Sequence, residues 1–391
     1  MVGGAEVYVR NIAEEFLSRG HQVVVISTSS GRMSYTERIN GVKVYRVNSL
    51  NFYPAYKSTQ QPLILKPMWH INSIWNPHSY SIVKKILEKE NPDVVHIHTF
   101  RGLSLSVFSA AKSLKKPFVF TAHDYSLLCP KTNLLRSSNK ICRNPHIFCK
   151  NYMKVQRFIV NRSPPNIFTA PSWFVINKYR ENKFFENVKA IRLPLGINFG
   201  NSNVSKNYDV VDILFVGNLS MHKGVHILIQ AFRKLQYENI RLHIVGKGKD
   251  IEKFKRLAGN DPRIRFCGFV SENELRKLYE IANIVVVPSI WYEVFGMIII
   301  ECFKSGTPVI GSRIGGIPEL VKNGYNGLLF EAGHVTQLNE VLSKLIIGDY
   351  SLRTLECGAR KSIEKYNMSR HISHLLEIYN KLGGCKNAFE I

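Results

Sequence analysis

Short runs of β-branched and aromatic residues alternate with amphipathic helical stretches along the whole chain. This alternation is typical of doubly wound parallel α/β sheets with helices on both faces. In the first half it predicts strands at residues 21–27, 42–47, 93–98, 118–122, 167–170 and 188–193. In the second half it predicts strands at residues 212–216, 241–245, 264–267, 284–287 and 307–311.

The chain has 391 residues, which favours two hydrophobic cores rather than one. Residues 196–209 form a polar stretch rich in Gly, Asn and Ser, typical of a linker. We therefore predict two Rossmann-like domains facing a central cleft, at residues 1–198 and 199–370. A C-terminal helix within residues 371–391 is expected to pack back on the first domain.

The chain opens on Gly3-Gly4 and enters a helix predicted at residues 7–19. A Gly-Gly loop that feeds a helix normally follows a strand, because strand end and helix N-terminus together present N–H groups to a ligand. No such strand stands before Gly3 in this sequence. Two explanations stay open: the true start lies upstream, or this domain lacks a central strand and is less stable.

The formal net charge is +24, with 28 Lys and Arg against 10 Asp and Glu in residues 1–200 and 25 against 19 in residues 201–391. This excess suits an anionic membrane, an anionic substrate or nucleic acid, and equally a solvated surface. The aromatic segment 51–77, with Tyr53, Tyr56, Trp69 and Trp75, is read as a packed loop or a membrane-interface segment. Without a signal peptide or an apolar run of roughly 18–20 residues, a cytoplasmic protein is expected, peripheral on the inner face of the membrane.

Seven cysteines without CxxC spacing indicate a reducing compartment rather than a disulfide framework. Cys129, Cys142 and Cys149 share one stretch with His123 and His146, so a zinc site or local cluster was weighed against ordinary thiols. Ordinary thiols are favoured, and no metal site is predicted.

The segment 289–316, SIWYEVFGMIIIECFKSGTPVIGSRIGG, follows the predicted buried strand 284–287 and carries Glu293 and Glu301. Gly296 begins a helix, so the backbone N–H groups of Phe295, Gly296 and Met297 would favour a phosphate. Glu301 lies about 7.5 Å further along the helix, within reach of a ribose, and Glu293 would meet the sugar. Two glutamates eight apart also occur by chance, but a carboxylate within the apolar MIIIECF helix needs a polar partner.

A second motif, FVGNLSMHKGVHILIQA at residues 215–231, places Lys223 in the loop between a buried strand and an amphipathic helix. From this position the lysine could supply a positive charge to a diphosphate leaving group. A lone Lys-Gly pair is otherwise a solvated turn.

Five segments occur in the order found in family 4 of the retaining glycosyltransferases, also called glycosyl transferases group 1, which have the GT-B fold. They are VGNLSMHKG, IVGKGKD, FCGFVSENEL, SIWYEVFGMIIIE and GTPVIGSRIGGIPELV. The resemblance continues in the first half with GGAE at residues 3–6 and AHD at residues 122–124. The combined set is specific for this family, whereas each piece alone is not.

This resemblance implies roles for individual residues. Glu293 would bind the donor sugar, Glu301 the ribose, Lys223 the diphosphate, and His123 would lie under the sugar. The GGAE loop, with Gly3 and Gly4, would contact phosphate or acceptor. The predicted donor site also includes Asn218, where the family often has Arg, and Gly246, Lys247, Gly268, Phe269, Val270, Phe295, Gly296, Met297 and Ile298. His123 and His98 could instead be hydrogen-bonded in place at strand ends.

The resemblance therefore predicts a metal-independent retaining hexosyltransferase without a cofactor, using a UDP- or GDP-linked sugar as donor. Its acceptor would be a glycan or lipid-phosphate-linked hydroxyl in cell-surface polysaccharide or glycolipid synthesis. Nucleic acid is not an expected partner, because the basic excess is diffuse and no recognition motif is present. The alternatives are another GT-B enzyme, such as a sugar-nucleotide epimerase or a phosphorylase, and a non-catalytic basic binding protein.

Overall fold

The computed structural model describes residues 4–29, 31, 33–51, 72–198, 205–383 and 389–390. Gly3 of the predicted donor site and any strand before it lie outside these ranges, as do Tyr53, Tyr56 and Trp69 of the aromatic segment. Residues 199–204 of the predicted linker are also outside them. Within the described ranges, no helix is long and apolar enough to cross a membrane.

The chain divides into two compact units. The first comprises Met1–Asn133, Asn144–Gly196 and Met368–Ile391, and the second comprises Leu134–Arg143 and Ile197–Asn367. The unit boundaries therefore fall at 196/197 and 367/368, where the sequence placed them at 198/199 and 370/371. The first unit is made of three pieces of chain, because residues 134–143 belong to the second unit and the last helix of the first unit follows Asn367.

Two four-stranded groups form the sheet structure of the first unit, in the orders β14-β1-β3-β2 and β4-β5-β6-β7. All pairings are parallel except that of β2 with β3. The strands are β1 (Gln22–Thr28), β2 (Tyr35–Ile39), β3 (Val42–Val47), β4 (Val95–Ile97), β5 (Phe118–Thr121), β6 (Ile167–Ala170), β7 (Lys189–Arg192) and β14 (Phe389–Glu390). The helices are α1 (Gly4–Ser18), α2 (Pro77–Glu90), α3 (Ser106–Ser113), α4 (Ile147–Arg162), α5 (Trp173–Glu181) and α13 (Met368–Gly383).

The second unit holds one six-stranded parallel sheet in the order β10-β9-β8-β11-β12-β13. Its strands are β8 (Val211–Val216), β9 (Ile240–Val245), β10 (Ile264–Gly268), β11 (Ile284–Val287), β12 (Val309–Ser312) and β13 (Gly327–Phe330). Its helices are α6 (Val225–Arg233), α7 (Ile251–Ala258), α8 (Glu272–Ile281), α9 (Met297–Lys304), α10 (Ile317–Leu320), α11 (Val335–Ile346) and α12 (Leu352–Ser362). This strand order is that of a Rossmann sheet.

Burial explains why the central strands of the second unit read as continuous apolar runs. All four residues of β11 are buried, as expected for a parallel strand covered by helices on both faces. One side of α6 packs into the same core through Ile229 and Phe232. Gly306, with φ at +69°, ends α9 and turns the chain towards β12.

Three strands were not predicted from the sequence: β2, β13 and the two-residue β14. β2, with sequence YTERI, is largely exposed and antiparallel to β3, so it has neither an apolar run nor a covered face. β13, with sequence GLLF, is buried but contains only three apolar residues after a glycine. Neither β2 nor β13 has enough periodicity to distinguish it from a loop.

A test of the packing in the second unit concerns Gly358 of α12. A Cβ at this position would lie 1.9 Å from the carbonyl oxygen of Tyr325, a backbone atom that cannot rotate away. We expect Gly358→Ala to lower the free energy of unfolding by about 1–3 kcal/mol, as overpacking does. Chemical denaturation measures this loss, and Gly383→Ala, which meets nothing within 4 Å, is the matched control. Equal stability of the two variants would contradict this packing.

Candidate functional site

The strand order of the second unit reverses between β8 and β11, because β8 continues to β9 on one side and is followed by β11 on the other. In open parallel sheets, ligands bind outside the carboxyl ends of the strands at such a reversal. Lys223 lies in a 3₁₀ turn, Met221–Lys223, soon after β8 ends. Glu293 lies in the loop that follows β11. The topology alone therefore brings these two predicted residues to one place.

The structure joins them directly. The Nζ atom of Lys223 lies 2.7 Å from Oε1 of Glu293, and the same ammonium lies 4.9 Å from the centre of the Trp291 ring. Oε1 of Glu293 also accepts hydrogen bonds from Ser289 Oγ at 2.7 Å and Trp291 Nε1 at 2.8 Å. Glu293 is thus a buried carboxylate with three donors on one oxygen.

These contacts decide the charge of Glu293. Burial acts to raise the pKa of this carboxyl, but Lys223 and the two neutral donors outweigh burial and hold the pKa below its usual value. Glu293 is therefore an anion at neutral pH. An anionic carboxylate only accepts hydrogen bonds, so it suits the hydroxyl groups of a ligand.

Helix α9 begins directly after this loop, with Gly296 as its N-cap at a φ of +101°. A glycine is suited to this left-handed conformation, and it has no side chain to cap the first turn. Phe295 is buried, whereas Gly296, Met297 and Ile298 are partly accessible. The positive end of the helix and its backbone N–H groups therefore follow Glu293 directly in the chain, and Glu293 contacts Lys223. This combination favours an anion.

Glu301 lies one turn into α9 and is partly buried. Its Oε2 accepts a hydrogen bond from the hydroxyl of Tyr279 at 3.0 Å. Burial raises the pKa of Glu301, and the Tyr279 hydrogen bond offsets this only in part. The polar partner that the apolar helix required is thus Tyr279 of α8, and contact of Glu301 with a ligand stays a prediction.

Three neighbouring loops at the carboxyl ends of β8, β9 and β10 contain the other predicted residues of this unit. A Cβ on Gly246 would lie 1.8 Å from the carbonyl oxygen of Gly217, so these loops pack backbone to backbone. The N–H of Gly246 donates to the carbonyl of Gly268 at 2.7 Å.

The polar and aromatic side chains of these loops face the solvent. Asn218 and Lys247 are exposed, Phe269 is 73% exposed, and Val270 is partly buried. The Lys247 ammonium lies 5.1 Å from the centre of the Phe269 ring. The second unit therefore brings most of the predicted donor-site residues to one edge of its sheet.

In the first unit, His123 follows β5 and His98 follows β4. Nδ1 of His98 and Nε2 of His123 are 3.0 Å apart, so a hydrogen bond does hold both rings at these strand ends. Burial, with a smaller contribution from His371, lowers the pKa of His123 to about 4. His123 is therefore a neutral imidazole at physiological pH. Gly4 is exposed at the start of α1.

The sequence analysis missed a buried polar network beneath these strand ends. The hydroxyl of Tyr8 in α1 lies 2.6 Å from Nε2 of His371 in α13. Nδ1 of His96 lies 2.6 Å from the Tyr379 hydroxyl, also in α13, and its Nε2 lies 2.6 Å from Thr121 Oγ1. The unusual spacing His96–His98 was the one available signal, because it places a polar side chain inside a buried strand.

The structure does not group the side chains of the cysteine stretch as metal ligands. Among the described residues, which include Cys129, Cys142, Cys149, His123 and His146, no three His, Cys, Asp or Glu side chains are grouped to hold a metal ion. Cys129 and Cys142 are free thiols.

Comparison with known proteins agrees with the geometry. Residues 2–199 match the family described as Glycosyltransferase Family 4, and residues 201–368 match Glycosyl transferases group 1. The chain belongs to glycosyltransferase family 4. This confirms the family predicted from the sequence motifs.

Two relatives and one solved structure show how far the likeness extends. An uncharacterized glycosyltransferase of Methanocaldococcus jannaschii is 28% identical over 97% of this chain and 94% of its own. A phosphatidyl-myo-inositol mannosyltransferase of Mycobacterium leprae is 23% identical over 96% of this chain and 92% of its own. The Anabaena protein HepE, solved with UDP-glucose, has a TM-score of 0.71 and 19% identity over 98% of this chain and 97% of its own. The glycosyltransferase therefore has the predicted GT-B fold.

The electrostatic balance at Glu293 is testable through Lys223→Met. Without the ammonium, burial would raise the pKa of Glu293 above its ordinary 4.5, so the folded state would bind a proton more readily than the unfolded chain. We expect a loss of about 3 kcal/mol at pH 7 that shrinks as the pH falls towards about 5. Urea unfolding at both pH values measures it.

Two further variants are the controls. Lys255→Met removes only an exposed ion pair with Glu252 and should be nearly neutral. Lys223→Met with Glu293→Gln should recover more than half of the loss, because no buried charge remains unpaired. If Lys223→Met is no less stable at pH 7 than Lys255→Met, the ion pair does not have this role.

Proposed function

We propose that this glycosyltransferase transfers a hexosyl group from a UDP- or GDP-linked sugar to an acceptor hydroxyl, with retention of anomeric configuration. The observation that carries the proposal is the buried Lys223–Glu293 pair at the strand-order reversal, next to the start of α9. Lys223 and the start of α9 offer positive charge, and Glu293 accepts hydrogen bonds from hydroxyls. A sugar diphosphate presents the matching groups within one molecule.

The diphosphate would bind at the N-terminus of α9 and against Lys223. Backbone N–H groups and the helix dipole favour phosphate oxygens, and Lys223 adds a full charge. The Lys223 ammonium is held by Glu293. It therefore loses little side-chain freedom when it contacts a phosphate. Asn218, exposed after β8, would add only a neutral contact where the family often has a guanidinium.

The sugar and the nucleoside would lie on opposite sides of this phosphate site. Glu293 would accept hydrogen bonds from sugar hydroxyls, and Glu301 would accept them from the ribose. The exposed Phe269 and the backbone of residues 268–270 would receive the base. His123 of the first unit, neutral because burial lowers its pKa to about 4, would donate a single N–H to the sugar. The solved UDP-glucose complex of HepE supports a donor of this class.

In the reaction, the bond between the anomeric carbon and the leaving phosphate oxygen breaks, and the acceptor oxygen bonds to the same face. The acceptor proton passes to the departing phosphate oxygen. Lys223 and the α9 N-terminus stabilise the charge that develops on this phosphate. Glu293 stays ionised throughout and positions the sugar. No residue has to form a covalent intermediate, and metal independence is part of the proposal.

The site prediction is tested by Glu293→Gln and Glu301→Ala. Glu293→Gln removes the anion but keeps the volume, so we expect transfer to fall by about a hundredfold or more. Glu301→Ala should raise the Kd for the nucleoside diphosphate by about tenfold, since a ribose contact is lost.

The donor is first chosen by thermal shift with a panel of sugar nucleotides. Calorimetry then gives affinity, and nucleoside diphosphate release with a membrane extract gives transfer.

Glu340→Ala is the matched control, since Glu340 is an exposed glutamate of the same unit. Normal transfer by Glu293→Gln would remove the site assignment. Donor incubated alone separates the alternatives, because an epimerase would form an isomer without acceptor. Binding of duplex or single-stranded nucleic acid with no response to any sugar nucleotide would favour a basic binding protein.

The acceptor is proposed to be a lipid-linked or glycan hydroxyl at an anionic membrane surface, and helix α4 of the first unit supports this. Its exposed apolar residues form one stripe at helical spacing. They are Ile147, Phe148, Val155 and Phe158, which are 58, 77, 46 and 57% exposed. The helix contains four cations and no acid; the cations are Lys150, Lys154, Arg157 and Arg162.

This combination matches an interfacial helix. Exposed aromatic rings can enter the acyl boundary, while Lys and Arg beside them attract anionic headgroups. The Arg162 guanidinium lies 4.4 Å from the centre of the Phe158 ring, so charge and ring are presented together. The excess of 28 basic over 10 acidic residues in residues 1–200 supports the same orientation of the first unit towards the membrane.

Vesicle sedimentation tests this part of the proposal. The protein should sediment with vesicles that contain phosphatidylglycerol at low salt, and not with pure phosphatidylcholine. Phe148→Ser with Phe158→Ser should weaken vesicle binding by about tenfold or more, since each buried Phe contributes about 1.5–3 kcal/mol. Ile347→Ser, at an exposed apolar residue of the second unit, is the control. Unchanged sedimentation of the double variant would exclude α4 as the contact.

A further inference from the structure

Trp291 contacts both members of the ion pair in the candidate site. Its indole Nε1 donates to Oε1 of Glu293 at 2.8 Å, and the Nζ atom of Lys223 lies over its ring, 4.9 Å from the ring centre. An indole N–H only donates hydrogen bonds, and the face of a tryptophan ring attracts a cation more strongly than other aromatic rings do. One side chain therefore binds the carboxylate with its edge and the ammonium with its face.

The backbone on both sides of Trp291 is held by other loops of the second unit. The N–H of Ile290 donates to the carbonyl of His222, in the turn after β8, at 3.0 Å. The N–H of Gly316 donates to the carbonyl of Glu293 at 2.7 Å. The segment that carries the indole is thus fixed at its start and at its end.

The cation at the Trp291 ring is Lys223 and not His222. The His222 ring lies 5.5 Å from the Trp291 ring in an edge-to-face arrangement. Burial, with a smaller contribution from Lys223, lowers the pKa of His222. Its imidazole is therefore neutral at pH 7 and packs against the indole as an uncharged ring. The electrostatic contact of the indole is thus made with Lys223.

The hydrogen bonds to Glu293 make its two oxygens unequal. All three donors, from Lys223, Ser289 and Trp291, bind Oε1. Within the described part of the chain, Oε2 accepts no hydrogen bond, although Glu293 is only 8% exposed. A buried carboxylate oxygen requires donors, so Oε2 is the atom that can accept from the hydroxyls of a ligand. The last torsion of a glutamate is broad, so the donors on Oε1 decide where Oε2 points.

We infer that Trp291 is a positioning residue for the transfer reaction: it holds Oε1 of Glu293 and so directs Oε2 towards the donor sugar, while its ring keeps Lys223 beside the diphosphate. This inference rests on the proposed function. Ser289 also donates to Oε1, but Trp291 contacts the ammonium as well. The indole touches neither reacting atom in this proposal and acts through the two charged groups.

Trp291→Phe tests the hydrogen bond, because it removes the indole N–H and keeps an aromatic ring near Lys223. We expect kcat for transfer to fall by about tenfold, since the sugar is less well oriented, while the KM for the donor changes by less than about twofold. The Kd for the nucleoside diphosphate, which has no sugar, should also change by less than about twofold. Trp291→Leu, which removes the ring as well, should lower kcat by about threefold more and raise this Kd by about threefold.

Tyr325→Phe is the matched control, because it removes one polar group from an aromatic residue of the same unit that is 43% exposed. It should transfer normally. If Trp291→Phe lost nucleoside diphosphate affinity in proportion to kcat, its role would be merely structural and the inference would be overturned. Normal transfer by Trp291→Phe, with Glu293→Gln defective, would overturn it and leave the proposed function intact. Normal transfer by Glu293→Gln would contradict the proposed function, and the inference with it.

Nuclear magnetic resonance gives a second readout, which needs no transfer and applies even if Trp291→Phe does not fold. The chain has four tryptophans, and Trp291 is the one within residues 197–367. Its indole N–H signal is assigned by substitution of the other three. We expect this signal to shift in Glu293→Gln, because a hydrogen bond to a charged acceptor becomes one to a neutral acceptor, and to keep its position in Glu340→Ala. An unmoved signal in Glu293→Gln would overturn the inference.

Discussion

The contact between Lys223 and Glu293 is the interaction on which the site of the second unit depends. Glu293 is buried, so its charge would be unfavourable without a cationic partner. Together the two groups keep the carboxylate ionised and the ammonium fixed at the carboxyl edge of the sheet. The pair exists because the strand order reverses between β8 and β11, which brings loops 70 residues apart in sequence into contact. The strand order of the sheet thus positions the ion pair of the predicted site.

Much of this arrangement follows from local sequence. The strands at 167–170 and 284–287 were predicted to the residue, because short runs of β-branched and apolar residues between turn signals leave little choice for a buried parallel strand. Gly296 and Gly306 likewise set the limits of α9. The rule that a buried carboxylate needs a partner predicted polar contact for Glu301, although it could not identify Tyr279 as that partner.

The remainder depends on contacts between distant segments, which periodicity does not encode. Ser289 and Trp291 hold Glu293, but nothing in their residue types distinguishes them from ordinary loop residues. The edge strand β2 carries polar residues and lacks an apolar face, so its pairing is set by β3 rather than by its own sequence. The same holds for His96 and His371, whose tyrosine partners lie 283 and 363 residues away. Such pairs become visible only once the sheet and its covering helices are placed.

The hydrogen bonds from Tyr8 to His371 and from His96 to Tyr379 have a consequence for biosynthesis. They tie α1 and β4 to α13, which the ribosome produces only after the whole second unit. Nascent domains generally fold as units in the order of translation. The second unit can therefore complete its folding before α13 is available. Tyr8 and His96 lack their hydrogen-bond partners until α13 emerges from the ribosomal exit tunnel.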